Sequence, residues 1–337
     1  MKNLLLLFFS LLFISCASNY TISNSSIITG ETATKYANTI TSNDLKNLLY
    51  TVASPEFEGR ETGKIGQKKA AEFLKKFYIE HAISSPYGGN DYFQAIPTEH
   101  LKLGVNSSEN VVAFIKGNEK PNEIIVLSAH YDHLGIKNGK TYYGADDDGS
   151  GTVAILEIAE AFQKAVKEGD TPKRSILFLH VTGEEKGLLG SKYYTNFPIF
   201  PLKNTVVDLN IDMIGRVDSI HTFNPYYVYL IGSNKLSTEL HKLSEKINNN
   251  FTKLNLDYTY NSEDDPNRYY YRSDHYSFAK NNIPIIFYFS GTHKDYHKAS
   301  DTPDKINYEV LAKRTQLIFY TAWELANRNT RIKVDKQ

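Results

Sequence analysis

Two runs constrain the fold more than anything else in this chain: EIIVLSA at 123–129 and SILFLHV at 175–181. Neither shows the apolar–polar alternation of a half-exposed strand, so each reads as a strand covered on both faces. The runs are followed by residues that bind metals. SAHYDHLG (128–135), GADDDGSG (144–151), TGEEKGLLGS (182–191), NIDMIG (210–215) and KDYHKASDTP (294–303) supply imidazoles and carboxylates at or beyond predicted strand ends.

Helical stripes alternate with these strands. Ala70, Phe73, Leu74, Phe77 and Tyr78 mark a helix over 67–81, and Val153, Ala154, Leu156, Ile158 and Ala161 another over 150–166. Further strands are expected at 110–115, 206–213, 226–231 and 284–289, and helices at 187–194, 235–247, from 274 to 279, and 308–327. This succession predicts an α/β fold, a three-layer α/β/α sandwich around a mixed, largely parallel central sheet. In such sheets ligands gather beyond the carboxyl ends of the strands. His130, Glu184, Glu185, Asp212 and His297 all sit there.

The side chains suggest a division of labour. Asp132, two residues after His130, can fix the imidazole tautomer. Asp146, Asp147 and Asp148 repel one another unless a cation or solvent intervenes; Asp146 suits a solvated turn, and Asp147 or Asp148 a ligand. Two adjacent carboxylates after an apolar strand, Glu184 and Glu185, are costly without compensation. One can bind metal while the other stays free as a general base. Of the remaining histidines, His133, His180 and His275 read as structural. Nitrogen and oxygen donors together suit zinc, and a pair of ions acting on a water suits amide hydrolysis.

The chain begins with Met1–Lys2 and a nearly unbroken apolar run from Leu4 to Ile14. This is shorter than the roughly 20 residues that span a bilayer and reads as a signal peptide over 1–15. Cys16 is the only cysteine, which excludes an intrachain disulfide. Its setting resembles a lipoprotein lipobox, with Cys16 lipidated and residues 16–41 as a flexible tether ahead of one catalytic domain over 42–330. That predicts an exported lipoprotein, held at the outer membrane and facing the periplasm; a secreted soluble protein is the alternative. Lys plus Arg and Asp plus Glu both total 38, with no basic block, so nucleic acid is not an expected partner.

The order of motifs, together with EFEGRETGKIGQKKAAEFL at 56–74, resembles the dizinc aminopeptidase family of secreted bacterial exopeptidases, whose wider relatives include glutaminyl cyclases. The resemblance runs from about Leu45 to Ala326 and implies the phosphorylase/hydrolase-like zinc exopeptidase architecture. It implies two zinc ions per chain, one held by His130 and Asp212, the other by Glu185 and His297, with Asp147 bridging both. Glu184 becomes the catalytic base, and Asp132 orients His130. A cis peptide is implied at Asp147–Asp148. Arg272 resembles a substrate-holding arginine, and Tyr296 a donor to the tetrahedral oxyanion. The implied substrate is a peptide with a free N-terminus. A single-zinc glutaminyl cyclase, a carboxypeptidase or dipeptidase, and a non-catalytic binding protein are the alternatives. The short stretch between His81 and Glu123 leaves no room for the lid or protease-associated domain that many relatives carry.

Overall fold

The two apolar runs lie side by side at the centre of the sheet, paired in parallel with Ile125 opposite Ile176 and Leu127 opposite Phe178. A computed structural model describes residues 30–102 and 104–336; the signal peptide and Cys16 lie outside these residues. In chain order the elements are α1 (Glu31–Ala37), α2 (Ser42–Val52), α3 (Ile65–Glu80), β1 (Phe93–Ile96), β2 (Ser108–Ile115) and β3 (Lys120–His130). A small hairpin, β4 (Gly135–Lys137) and β5 (Lys140–Tyr142), precedes α4 (Gly151–Lys167), β6 (Arg174–Val181), α5 (Leu189–Asn196) and β7 (Thr205–Ile211). Then come β8 (Tyr227–Ile231), α6 (Thr238–Phe251), β9 (Asn255–Asp257), α7 (His275–Ala279), β10 (Ile285–Phe289) and α8 (Tyr308–Asn327).

Eight strands form the main sheet in the order β1-β2-β6-β3-β7-β10-β8-β9. The centre, from β6 through β3 and β7 to β10, is parallel. β2 joins β6 antiparallel, and β8 joins β10 antiparallel, so the sheet is mixed only toward its edges. Alternate residues of one strand feed opposite cores. Ile125, Leu127 and Ala129 of β3 pack with α1, α2, α3, α4, α6 and α8. Ile124 and Val126 face α5 and α7 through Tyr194 and Phe278. These three layers are the predicted α/β/α sandwich. Because β3, β6, β7 and β10 run in the same direction, their carboxyl ends open onto one edge, where the candidate site lies.

Capping sets several helix boundaries. The Asn307 side chain accepts from Val310 N, so α8 starts where the periodicity placed it. Ser237 accepts from Leu240 N, so α6 starts at Thr238 rather than 235. The stretch 81–107 holds, among the described residues, β1 and one turn of 3-10 helix at Thr98–His100, and no separate domain.

The last part of the tether expected over 16–41 is folded, while residues 16–29 lie outside the described residues. From Glu31 the chain is helical, and Ala33, Tyr36 and Ala37 are buried. The Tyr36 ring lies 5.6 Å from that of Trp323 on α8, and its hydroxyl donates to Asp170 and Glu168. A seven-residue polar helix has little stability by itself; this one is held by those contacts, which local composition does not reveal. The folded unit also continues past 330: Ile332 is buried, and the Asp335 carboxylate accepts from Thr238 N at the start of α6. Among the described residues no helix is long and apolar enough to cross a membrane.

Glu157 on α4 is 4 % exposed and lies among carboxylates. Burial, then Glu160 and Asp44, push its carboxyl up from 4.5 to about 8. Between those values the folded chain keeps a proton that the unfolded chain releases, so stability falls as pH rises through this window. Each unit of the difference corresponds to about 1.4 kcal/mol. In Glu157→Gln, thermal unfolding between pH 5 and 8 is expected to lose this part of the decline, leaving the variant more stable than the parent at pH 8. Superimposable pH profiles of the melting temperature would exclude a protonated Glu157.

Candidate metal centre

His130 is the last residue of β3. Its carbonyl accepts from Thr152 Oγ1 on α4, and its Nδ1 lies 3.1 Å from the Asp132 carbonyl oxygen. The expected support from Asp132 is therefore made by its main chain; its carboxylate is 3.8 Å from Nδ1. That carboxylate instead accepts from Thr62 Oγ1 (2.7 Å) and from Glu184 N (3.2 Å). Asp132 thus fixes His130 with one group and the start of the Glu184–Glu185 turn with the other. With Nδ1 occupied, the Nε2 of His130 faces the site.

Asp147 is where the distant segments meet. Its Oδ1 lies 3.2 Å from His130 Nε2, and its Oδ2 lies 3.0 Å from His297 Nε2. Asp212 Oδ1 is 3.7 Å from His130 Nε2, and Glu185 Oε2 is 3.4 Å from His297 Nε2. One carboxylate thus stands between two nitrogen–oxygen groups. The peptide bond between Asp147 and Asp148 is cis, as the resemblance implied. Asp148 lies near the His130 group, and its Oδ1 accepts from Gly151 N (2.9 Å) and Met213 N (3.1 Å), which ties it to the start of α4 and the end of β7. Asp147, whose two oxygens face different imidazoles, is the better bridging candidate.

His133 is not a bystander. It is fully buried, with Nδ1 2.8 Å from Glu185 Oε1 and 3.8 Å from Asp147 Oδ2. The two oxygens of Glu185 are divided, one toward His133 and one toward His297. Neither ring nitrogen of His133 makes an aligned hydrogen bond, and Asp147 Oδ2 and Glu185 Oε1 are likewise without one. Close polar atoms that do not point along hydrogen bonds suit a cation among them, and this donor set fits zinc. The reading of His180 and His275 as structural agrees with the geometry. His180 Nε2 lies 2.6 Å from the Tyr78 hydroxyl and His275 Nε2 2.8 Å from the Tyr270 carbonyl, and burial lowers both imidazoles to about 3.

Asp301 was not singled out in the sequence, although it lies in the 294–303 motif. It is buried and accepts from the backbone N–H groups of Asp146 (2.9 Å) and Asp147 (3.2 Å), so it holds the acidic loop from below. Arg60 does similar work from the other side. Its buried guanidinium donates to the carbonyls of Tyr131, Val52, Tyr143 and Gly144, joining the end of β3 to the loop carrying Asp147. Gly144 must be small here: a Cβ would lie 2.3 Å from the Asp147 carbonyl oxygen and 2.5 Å from the His133 ring.

The charges are strongly coupled. Burial opposes ionisation of Asp147, but His133, His130 and His297 hold its carboxyl well below the ordinary range. Glu185 is held at about 2, because His133 and His297 outweigh burial and the repulsion from Asp147. His297 is pushed up to about 10, as Asp147 and Glu185 outweigh burial. Glu184 goes the other way: burial, reinforced by Asp274, Asp212 and Glu185 against the pull of His130, raises its carboxyl well above the usual value. Two adjacent glutamates with opposite proton affinities are suited to different tasks.

Asp147, Glu184, Glu185, Asp212 and His297 border a cavity of about 360 Å³. Tyr296 and Arg272 line it too. The Tyr296 ring stacks on His297 at 3.9 Å, and burial, then Asp147 and Asp212, raise its hydroxyl pKa, so it remains a donor. Arg272 lies 5.0 Å from the centroid of the Tyr269 ring.

Residues 110–322 match the model of peptidase family M28, and the chain belongs to that family. A probable leucine aminopeptidase of Arthroderma otae is 31% identical over 229 residues, covering 65% of this chain and 58% of that protein. Leupeptin-inactivating enzyme 1 of Streptomyces exfoliatus is 28% identical over 238 residues, covering 64% of this chain and 48% of that protein. The chain spans less than two thirds of the length of either curated relative. Among solved structures, the LapA aminopeptidase of Legionella pneumophila superposes with a TM-score of 0.69 at 24% identity, over 90% of this chain and 76% of that one. A glutaminyl cyclase of Bacteroides thetaiotaomicron superposes at 0.63 with 16% identity, over 84% and 98% of the two chains. The fold is shared across both chemistries.

Arg60→Lys keeps a charge but cannot reach four carbonyls at once. It is expected to cost about 2–4 kcal/mol in denaturant unfolding, from buried acceptors left unpaired, and to weaken zinc binding in competition with a chelator. Unchanged zinc affinity would separate Arg60 from the metal loops.

Proposed function

We propose that this chain is a zinc-dependent exopeptidase that hydrolyses N-terminal residues from peptides, using two zinc ions. One observation carries the reading: each oxygen of Asp147 faces a different imidazole, while Glu184 lines the same cavity and belongs to neither close group of ligand atoms. His130 and Asp212 would hold one ion and Glu185 and His297 the other, with Asp147 available to both. His133 steadies Glu185 through the oxygen turned away from His297. The names of relatives support zinc and aminopeptidase chemistry, among them a zinc aminopeptidase from Bacillus subtilis with the same fold and a probable zinc metalloprotease from Pyrenophora teres.

Zinc supplies polarisation of the scissile carbonyl and a more acidic attacking water. Glu184 takes the proton from that water and then delivers it to the leaving amine. Tyr296 donates to the oxyanion, a contact worth on the order of 3 kcal/mol. The acidic floor attracts the free α-ammonium group of the substrate and disfavours blocked peptides. Met213, Phe287 and Phe289 give the cavity an apolar wall suited to an apolar N-terminal side chain.

The glutaminyl cyclase reading requires one zinc, and the divided Asp147 carboxylate favours two. Export as an outer-membrane lipoprotein rests on the sequence around Cys16 alone; mass spectrometry of the mature N-terminus would show the acyl chains.

Glu184→Gln is expected to lower kcat by several orders of magnitude while metal analysis still finds two zinc ions per chain. His297→Ala is expected to retain one. A strong chelator should abolish release of free amino acids from unblocked peptides, and zinc should restore it. A zinc-loaded protein that leaves a broad panel of such peptides intact would end the aminopeptidase reading.

A further inference from the structure

The cavity is electrically divided. Asp147, Glu185 and Asp212 form its buried floor, whereas Lys102, Lys186 and Arg272 line its more exposed walls. Lys186 is 3.3 Å from Glu61 and so is partly neutralised. Lys102 and Arg272 have no carboxylate within 4 Å among the described residues. The Lys102 ammonium is drawn over the turn that carries the two glutamates: a Cβ added to Gly187 would lie 3.2 Å from Lys102 Nζ. In a chain with no net charge, cations gathered at the mouth of an acidic cavity are a local arrangement, not a bulk bias.

A ligand complementary to this field is positive at its inner end and negative at its outer end. We infer that the site selects short peptides bearing a carboxylate one or two residues beyond the scissile bond, read by Lys102 and Arg272 with Lys186 in support. The inner end is the α-ammonium of the proposed aminopeptidase substrate, so the inference rests on that reading and adds a substrate class to it. The carboxylate has two sources, the C-terminus of a di- or tripeptide or an acidic side chain after the scissile bond. Both offer the same group to the same cations. Charges near a surface are weak one by one, but a cleft with low-dielectric walls focuses them.

The test compares matched peptides on the zinc-loaded full-length protein. Leu-Ala against Leu-Ala-amide reports on the terminal carboxylate, and Leu-Asp-amide against Leu-Asn-amide on the side chain. In at least one pair the carboxylate member should have a kcat/KM higher by about tenfold, mostly through KM. That advantage should shrink as salt is raised. In Lys102→Glu it should disappear or invert, and in Lys102→Ala fall to an intermediate value; the exposed position makes loss of folding no explanation. Equal rates within both pairs, or a preference that survives Lys102→Glu unchanged, would overturn the inference. Calorimetry with zinc-loaded Glu184→Gln separates this from failure of the hydrolytic reading. Carboxylate-dependent binding without turnover in the parent protein would support the selective mouth and sink the peptidase. Turnover with no carboxylate preference in rate or affinity would do the reverse.

Discussion

Carboxylates buried side by side are the constraint around which the molecule is organised. Asp147, Glu185 and Asp212 meet where the dielectric is low and repulsion is strong. Such a cluster persists only if counter-charges and hydrogen-bond donors are fixed in place before any ligand arrives. The chain supplies them from every side: imidazoles from the β3 end and the 294–303 loop, Ser273 Oγ donating to Asp212 Oδ2, and main-chain N–H groups on Asp132, Asp148 and Asp301. The parallel centre of the sheet makes this possible, because it brings the ends of β3, β6, β7 and β10 to one edge.

Behind the buried cluster lies a second set of residues whose work is positional. The segment from Arg60 to Gln67 touches three of the segments that converge on the site. Arg60 ties the β3 end to the acidic loop, Thr62 braces Asp132, and Gln67 reaches Thr182 just ahead of the glutamate turn. This gives the stretch EFEGRETGKIGQ a physical role without assigning it any chemistry. It also accounts for the buried charge of Arg60, whose guanidinium is satisfied almost wholly by carbonyl oxygens.

The fold was largely legible because buried parallel strands cannot disguise themselves. β3, β6 and β10 carry apolar side chains on both faces, β7 is buried on both with Asp208 and Asn210 on one of them, and the long helices show their stripes. The weaker elements were hidden for definite reasons. α1 is polar and short, and only Trp323, far along the chain, explains it. β1 and β9 are brief edge strands defined by their partners. The site was legible in its residue types: His130, Asp147, Glu185, Asp212 and His297 lie together as the motifs implied. His133 was misread, since three residues after His130 it had no helical or strand spacing to mark its direction. Asp301 was passed over because its role is to accept from backbone N–H groups, which carry no side-chain signature.

The amino-acid sequence by itself determined the sheet class and the donor chemistry, since both follow from residue type and short-range pattern. Only the tertiary structure decided which oxygen of Asp147 faces which imidazole, that Asp132 supports His130 through its carbonyl, and that lysines from two separate segments stand over an acidic floor. Apart from the Asp132 contact, those are distances between residues seventeen or more positions apart. They are set by how strands register and helices pack, which no local pattern encodes.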